Sequence, residues 1–518
     1  MTKQLNSFAK KVLQAIPYDP IHFEEVLTPS ELAPVSKAPM MQAFVQRLHQ
    51  ALEKKEKVLV AGDYDCDGMM ATAIFVQGLQ AFGLSTGFYI PNRLKEGYGL
   101  SAQTVQMAAD KGYSLIITCD NGVRAEQALL KAKELGIEVI VTDHHLMPQH
   151  VEAQIIVHPS TLEEPFYSLC GAGIALECMR ALEQDEERFY IWAAMASIAD
   201  CMEVFGQTRA IIQKGLALFN LQGEPHLDPF VRSKPISERD AAFQIAPKIN
   251  AVGRLADRAR ANTFVQYLAT TDPKLISHYA DQVCELNQVR QQLTEQVYGK
   301  AQLFIKPLQP VLMAYDPAFH EGIIGLAAGH LTTQSAKPAI VCTLSEQGYK
   351  CSMRAPQGFH CLEFLSDFSG YSALGGHAQA AGFSVPSENW SAFETYLQKQ
   401  GHAYTWEPQL SVPLDIEIED LTLENIHALD SLRPFGTGFE LPLFRLQDID
   451  IINVYDLSQG AHRKFFLKGG IQALHFNQSS TQAAIDPKTI KAFIGRPSIN
   501  VFRGKEKVDF LIEEIQYA

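Results

Sequence analysis

The chain has 518 residues, 47% of them hydrophobic, and a net charge of −14, which favours a multidomain globular protein and argues against diffuse binding to nucleic acid through bulk positive charge. No apolar run reaches the length of about 18 residues that a transmembrane helix needs, and the N-terminal residues lack the apolar segment of a signal peptide. Nine cysteines are scattered without a C-x-x-C pair. This pattern predicts free thiols in a reducing cytoplasm.

An alternation of apolar strands and helices begins after an N-terminal extension and an amphipathic helix predicted from Met41 to Lys54. The predicted strands are VLVAG, FYIP, LIITC, EVIVT and QIIVH, which span Val58 to about His158. Helical stretches such as Ala102 to Lys111 and Arg124 to Leu135 separate them. This alternation predicts an α/β fold with a parallel sheet that is covered on both faces.

Acidic and imidazole side chains follow three of these strands directly. They are Asp63, Asp65 and Asp67 after VLVAG, Asp120 after LIITC, and Asp143, His144 and His145 after VIVT. Side chains at the carboxyl ends of neighbouring parallel strands converge on one crevice. A buried helix predicted from Trp192 to Val204 carries a further acid, Asp200, which needs a cationic partner or a metal.

Such a set of oxygen and imidazole ligands suits two magnesium or manganese ions, and with them the hydrolysis of a phosphoester or phosphoanhydride. Two simpler interpretations stand beside this one. The D-x-D-x-D-G pattern also opens a calcium-binding EF-hand loop, but the position for its final glutamate is Ile74 and the pattern follows a strand. The other alternative is a solvated acidic turn.

The second half of the chain predicts three further units. A long polar helix from Asp272 to about Phe304 connects two lobes, and a second α/β region begins at Val311. Strands with glycine turns follow Trp406 and suggest a small β-barrel, with an OB-fold as one candidate. Nine Lys or Arg residues against two acids between Ala461 and Val508 suggest a local basic face. No phosphate-binding P-loop is present in the sequence.

Four segments, DYDCDG, TCDNG, VTDHH and SIADCMEV, resemble in order and spacing the four motifs of the DHH phosphoesterase superfamily. LGGHAQAAGF is similar to the glycine–glycine–histidine motif of the DHH-associated domain. INAVGRL, SMRAP, PFGTGFELPLF and VFRGKEKVDFLIEEI resemble further segments of the RecJ single-strand-specific DNA exonucleases. The stretch before the first motif is short and divergent beside typical members of that family.

This resemblance implies a centre with two manganese or magnesium ions. One ion would be held by Asp65 and Asp120 with Asp63 nearby, and the other by Asp67, His144 and Asp200, with Asp120 bridging the two. Asp143 would orient the histidine pair. His145 would stabilise the charge that develops on the scissile phosphate.

The resemblance also implies single-stranded DNA with a 5′ phosphate as the substrate. Arg93 and Arg254 would bind phosphates, while Ser352, Arg354 and His377 would hold the 5′ phosphate and impose 5′→3′ polarity. The aromatic candidates for base stacking in the barrel are Phe465, Phe466 and Phe502, for each of which a core position is the alternative.

The expected architecture is an N-terminal extension (1–45), a DHH catalytic domain (46–270), a connector helix (271–305), a DHH-associated α/β domain (306–405) and an OB-like nucleic-acid-binding domain (406–518). The expected protein is a monomer that acts in DNA repair and recombination, with a single-strand-binding protein and a helicase as candidate partners and no membrane association. Two alternative functions remain: a DHH phosphatase for short oligonucleotides, and an inactive scaffold in a replication or repair assembly.

Overall fold

The computed structural model describes residues 5–28, 30–306, 308–346, 348–409, 412–458, 461–476 and 487–517. Three β-sheets, with the helices that cover and join them, make up the α/β fold that the sequence predicts. Within the described ranges, every helix is too short or too polar to cross a bilayer.

The N-terminal segment is part of the packed structure rather than an appended arm. Its helices are α1 (Ser7–Ala15), α2 (Phe23–Leu27) and α3 (Pro39–Glu53). The side chain of Asn6 caps α1 by accepting a hydrogen bond from the N–H of Ala9. Phe8 on this helix is buried and stacks on Phe444 of the C-terminal sheet, with ring centroids 6.1 Å apart. A nine-residue helix shows too few turns for its period to stand out in the sequence.

The first sheet has the parallel topology that the alternating pattern predicts. Its elements are β1 (Lys57–Ala61), α4 (Cys66–Ala81), β2 (Ser85–Tyr89), α5 (Ala102–Asp110), β3 (Leu115–Thr118), α6 (Glu126–Glu134), β4 (Glu138–Thr142) and β5 (Ile155–Val157). The strand order is β2-β1-β3-β4-β5, and every pair is parallel. Helices cover both faces, so the central strands are continuously apolar instead of alternating.

A helical layer follows the first sheet and leads to the connector. It comprises α7 (Gly171–Ala181), α8 (Glu187–Ala199), α9 (Gly206–Gln222), α10 (Glu238–Asp240), α11 (Ala246–Arg254), α12 (Ala261–Ala269) and the long α13 (Pro273–Gln302). Helix α8 ends at Ala199, before the Val204 that the sequence predicts. The chain turns there because Cys201 adopts a left-handed φ of 55°. Asp200 therefore lies at the end of a helix and not within one.

The second sheet contains both parallel and antiparallel pairs. Its elements are β6 (Leu312–Tyr315), α14 (Ile324–Ser335), β7 (Ala339–Ser345), β8 (Gly348–Arg354), α15 (Cys361–Leu365), β9 (Ala373–Gly376), β10 (Ala380–Val385) and α16 (Trp390–Ala403). The order is β6-β7-β8-β10-β9, and only β6 and β7 run parallel. The LGGHAQAAGF segment forms the β9–β10 hairpin beside β8.

The C-terminal sheet has seven strands in the order β11-β12-β16-β17-β15-β14-β13. The elements are β11 (Leu414–Ile416), α17 (Leu423–Ala428), β12 (Phe444–Gln447), β13 (Ile451–Leu457), β14 (His462–Leu467), β15 (Gln472–His475), β16 (Ile490–Phe502) and β17 (Lys505–Tyr517). The sequence predicts about five strands here; the structure has seven strands in one sheet, with α17 between β11 and β12. The predicted domain limits remain predictions.

A buried arginine joins the first domain to the C-terminal segment. The guanidinium of Arg209 on α9 is fully buried and lies over the ring of Phe439 at 5.5 Å. It donates hydrogen bonds to the carbonyl oxygens of Leu432 (2.9 Å), Arg433 (3.2 Å) and Pro434 (3.1 Å). Beside it, the N–H of Val204 donates to the carbonyl of Thr437 at 3.1 Å. The C-terminal segment thus fixes the loop that follows Asp200.

We expect Arg209→Ala to lower the free energy of unfolding by about 2–4 kcal/mol, because three buried carbonyl groups lose their donor and a cavity opens. Urea unfolding followed by circular dichroism measures this loss. The matched control is Arg445→Ala, which breaks an exposed ion pair with Asp415 and should leave the free energy of unfolding nearly unchanged. Equal losses in the two variants would contradict the interpretation of Arg209 as an interdomain clamp.

Candidate metal centre and anion site

Five aspartates and a histidine meet at the carboxyl edge of the first sheet. Strands β1, β3 and β4 are neighbours in the sheet, so the loops that follow them open side by side. Three overlapping groups of ligand atoms each fit within 4.8 Å: Asp63, Asp65 and Asp120; Asp67, His144 and Asp200; and Asp120, His144 and His145. The structure therefore brings together all six residues that the sequence analysis names as metal ligands.

The carboxylates of this cluster need neutralisation by cations or protons. Burial raises the pKa of Asp63, Asp65 and Asp120, and the charges of neighbouring aspartates raise it further. Burial and the charge of Asp67 raise the pKa of Asp200 to about 8. Within the described structure, Oδ1 of Asp63 is buried without a hydrogen-bond partner, and Oδ1 of Asp120 has Nε2 of His144 at 3.0 Å. Manganese or magnesium ions fit this donor set, because hard oxygen ligands and imidazole match both.

The first turn of α7 holds the carboxylate of Asp67. Its Oδ2 accepts a hydrogen bond from the N–H of Gly171 at 2.6 Å, and its Oδ1 accepts one from the N–H of Ala172 at 2.7 Å. The positive end of the helix dipole faces the carboxylate. This contact is not evident from the sequence, because CGAGIALECM has the pattern of an ordinary apolar helix.

Asp120 is held in an unusual backbone conformation. Its φ of 62° lies in the left-handed region. The hydroxyl of Tyr98 donates to the carbonyl of Asp120 at 2.8 Å and also lies 3.2 Å from Nδ1 of His145. Gly171 packs so closely that a Cβ at its position would lie 2.6 Å from the Cβ of Asp120. Tyr98 and Gly171 therefore fix Asp120, and neither was identified from the sequence.

Asp143 organises the loop of the two histidines. Its oxygens accept hydrogen bonds from the N–H groups of His144 (2.8 Å), His145 (3.1 Å) and Val123 (3.0 Å) and from Nδ1 of His145 (2.8 Å). Burial by itself would raise the pKa of Asp143, but the hydrogen bonds and charge of His145 lower it below the ordinary value. In the same way, the contact with Asp143 outweighs burial and raises the pKa of His145.

A third histidine supports this loop from behind. His158, which is buried, donates from Nε2 to the carbonyl oxygen of His145 at 2.9 Å. Its Nδ1 accepts a hydrogen bond from the N–H of Ser160 at 3.0 Å, which fixes the tautomer. In the sequence, QIIVHP indicates only a strand, because a single histidine at a strand end does not indicate its partner.

Helix α11 carries Arg254 to the metal centre. Asn250 on this helix accepts a hydrogen bond from the N–H of Cys66 at 2.8 Å. A Cβ at Gly253 would lie 2.2 Å from the carbonyl oxygen of Tyr64, so this helix packs directly on the DYDCDG loop. Burial lowers the pKa of Arg254 to about 9, and the charges of Arg93, Arg354 and Arg290 add to the effect. A buried guanidinium with three further arginine charges near it forms a site for an anion.

The second sheet contributes the other side of this anion site. Nη1 of Arg354 donates to Oγ of Ser352 at 3.0 Å. A Cβ at Gly325, in the first turn of α14, would lie 3.0 Å from both side chains. The helix N-terminus, a hydroxyl and a guanidinium thus face one point.

The remaining predicted residues lie around this site. Arg93 is half-buried, with its guanidinium over the ring of Tyr64 at 5.0 Å. His377 is exposed in the turn after β9, and the adjoining strand pairs Ala380 with Arg354. Arg290, on the connector helix, was not identified because its polar, glutamine-rich surroundings look like a solvated surface.

Without metal, we expect the free energy of unfolding to fall as the pH rises from about 4 to about 8. The folded-state pKa of Asp200 is about 8, above its unfolded value of about 3.9, so its contribution is complete below the unfolded pKa and is lost as the pH rises through the folded one. Manganese should reverse the trend, because it stabilises the ionised carboxylates.

Thermal unfolding across this pH range, with a chelator and then with Mn²⁺, measures both effects. Asp200→Asn should make the slope without metal shallower. An identical slope in the variant would contradict the assignment of this titration to Asp200.

Gly171→Ala should weaken manganese binding about tenfold or more, because the added methyl group displaces Asp120. Calorimetric titration with Mn²⁺ measures the affinity. The control is Gly299→Ala on α13, where a Cβ meets nothing within 4 Å and affinity should not change. Normal affinity in Gly171→Ala would show that the close packing against Asp120 does not position it.

Three family models match successive parts of the chain. Residues 57–203 match the N-terminal domain of the DHH family, residues 308–400 the DHHA1 domain and residues 413–514 the RecJ OB domain. The order and positions of these matches agree with the motifs that the sequence analysis identifies.

Curated relatives and solved structures agree with this assignment. The single-stranded-DNA-specific exonuclease RecJ of Bacillus subtilis is 29% identical over 92% of this chain and 63% of the relative, so the chain spans less than two thirds of that protein. RecJ of Haemophilus influenzae is 26% identical over 95% of this chain and 92% of its own length. The crystal structure of RecJ from Thermus thermophilus in complex with Mn²⁺ has a TM-score of 0.83 at 25% identity, over 100% of this chain and 79% of that one. A structure of the same Thermus protein holds Mg²⁺. The predicted resemblance is confirmed: this chain belongs to the RecJ family of the DHH phosphoesterase superfamily.

Proposed function

We propose that this chain is a metal-dependent exonuclease that degrades single-stranded DNA from its 5′ end to mononucleotides. The observation that carries the proposal is the presence of two complementary sites in one cleft. A centre of carboxylates and a histidine, suited to divalent ions, adjoins a cluster of arginines, suited to phosphate. This arginine cluster consists of Arg93, Arg254, Arg290 and Arg354. The two are close enough for the charge of Arg93 to act on Asp63 and that of Asp65 on Arg254.

The ligands Asp63, Asp65, Asp67, Asp120, His144 and Asp200 would hold two divalent ions, which when bound supply the Lewis-acid chemistry of phosphodiester hydrolysis. The chain's own contribution is to position the phosphate and to neutralise it. Nδ1 of His145 is engaged by Asp143, so its Nε2 is the atom that can donate to a phosphate oxygen. The raised pKa of His145, caused by the contact with Asp143, favours the protonated ring that this role requires.

The arginine cluster would set the direction in which the strand is degraded. Ser352, Arg354 and the first turn of α14 would hold a terminal 5′ phosphate, with Arg254 between this pocket and the metal ligands and His377 at its edge. A Cβ at Gly322 would lie 1.9 Å from the carbonyl of Arg254, so the loop before α14 packs directly on α11. A terminal phosphate fixed there would present the first internucleotide bond to the metal centre, which gives 5′→3′ cleavage.

The C-terminal sheet would hold the strand further along. Phe466 is half-buried, packs on the exposed Tyr455 at 5.5 Å and lies beneath Lys464. An aromatic pair with an adjacent cation is suited to stacking and to phosphate contact. Phe465 is fully buried, so its core interpretation holds and its stacking role is withdrawn. The side chain of Phe502 lies outside the described residues.

We further propose a monomeric, cytoplasmic enzyme of DNA repair and recombination that works beside a helicase and a single-strand-binding protein. Among the alternatives, a phosphatase for short oligonucleotides has no use for the C-terminal β domain. An inactive scaffold has no reason to retain every aspartate and histidine of the centre.

The direct test is degradation of a 5′-phosphorylated single strand, labelled separately at each end, with Mn²⁺, by the native protein and by Asp120→Ala. Mononucleotides released from the 5′ end by the native protein alone would support the exonuclease. Intact strand binding without cleavage would favour the scaffold, and cleavage of dinucleotides alone would favour the small-substrate phosphatase.

Arg354→Ala should remove the preference for a 5′ phosphate over a 5′ hydroxyl, because the terminal dianion loses its bidentate partner. The ratio of kcat/KM for the two substrates measures the preference, which we expect to fall about tenfold or more. Lys350→Ala is the matched control, since it lies on the same strand and pairs with Glu321. A preserved ratio in Arg354→Ala would place the 5′ phosphate elsewhere.

A further inference from the structure

A cavity of about 390 Å³ opens beside the metal centre, on the side of His144 and His145. Its remaining walls are largely apolar and include Leu146, Met147, Tyr167 and Met202. Leu146 is 74% exposed at this cavity, and the other three are half-buried. None of these four side chains is among the metal ligands or the arginine cluster.

The polar groups of the cavity are already engaged. His158 uses Nε2 on the carbonyl of His145 and Nδ1 on the N–H of Ser160. The hydroxyl of Ser160 lies 2.8 Å from the same Nδ1. The cavity therefore offers a methionine-rich and aromatic surface with few available hydrogen-bonding groups. Such a surface suits a flat, polarisable ring without selecting its edge pattern.

The position of the cavity relative to the two charged sites indicates which part of a bound strand would reach it. Arg93 lies over the ring of Tyr64, and the helix that carries Arg254 packs on the carbonyl of Tyr64, so the arginine cluster lies beside Asp63 and Asp65. The other ligand group contains His144 and Asp200. The cavity begins at His144 and reaches Met202, two residues after Asp200. The order along the cleft is therefore arginine cluster, first ligand group, second ligand group, cavity.

We propose that this cavity receives the base of the second nucleotide, on the 3′ side of the bond that is cut. The inference rests on the proposed function, since it places the 5′ phosphate in the arginine cluster. A strand fixed there by its 5′ end passes its first internucleotide phosphate over the metal ligands and delivers the next base to the cavity. The contact aligns the scissile phosphate and accepts any base.

The test uses 5′-phosphorylated strands with a single abasic nucleotide at position 1, 2 or 6, and the rate of release of the first nucleotide. The native protein should cleave the position 2 substrate with kcat/KM lower by about tenfold, the size expected for one lost base–aromatic contact, while position 6 should behave as intact DNA. In Met147→Ala combined with Met202→Ala, intact DNA should be cut more slowly and the penalty for the abasic nucleotide at position 2 should disappear.

The control variant is Leu221→Ala, whose side chain is 84% exposed on α9 and away from the cavity; it should keep the full penalty at position 2. Equal Mn²⁺ affinity of all variants confirms that the centre is intact. If the native protein cuts the position 2 substrate as fast as intact DNA, or if the double variant keeps the penalty, the inference is wrong although the exonuclease stands. If no substrate yields mononucleotides, the proposed function itself fails.

Discussion

Mutual repulsion among buried carboxylates is the constraint on which the rest of the structure depends. Five aspartates converge on one edge of a parallel sheet, and Oδ1 of Asp63 is buried without a hydrogen-bond partner in the described structure. Such a cluster is stable only if cations or protons neutralise it. Burial and the charges of neighbouring aspartates raise the pKa values of Asp63, Asp65, Asp120 and Asp200 for this reason.

The surrounding elements hold these charges at fixed positions while leaving them open to ions. The N-terminus of α7 binds Asp67, the left-handed backbone at Asp120 turns that side chain inward, and Asp143 fixes the histidine loop. The supports are backbone N–H groups for Asp67, a left-handed backbone for Asp120 and the buried carboxylate of Asp143 for the histidines. Rigid placement of this kind lowers the reorganisation that a metal centre would otherwise require.

Contacts close to the metal ligands also join the domains. Helix α11 touches the metal loop through Asn250 and Gly253 and presents Arg254 to the second sheet, while Arg209 anchors the C-terminal segment beside the loop that follows Asp200. The metal centre, the arginine cluster and the C-terminal sheet are therefore parts of one packed body. A substitution that shifts one of these contacts would therefore also shift the metal ligands beside it.

The sequence by itself determined the parallel sheet, the strand ends that carry the acids and the family, because strand periodicity and motif spacing are local signals. Only the tertiary structure decided which partners hold those acids. Gly171, Tyr98 and His158 lie far from Asp120 and His145 along the chain, and each has an ordinary local context. Arg290 lies in a polar helix whose sequence does not reveal the other arginines nearby. Contacts between distant segments depend on how helices pack, and local sequence patterns do not predict that packing.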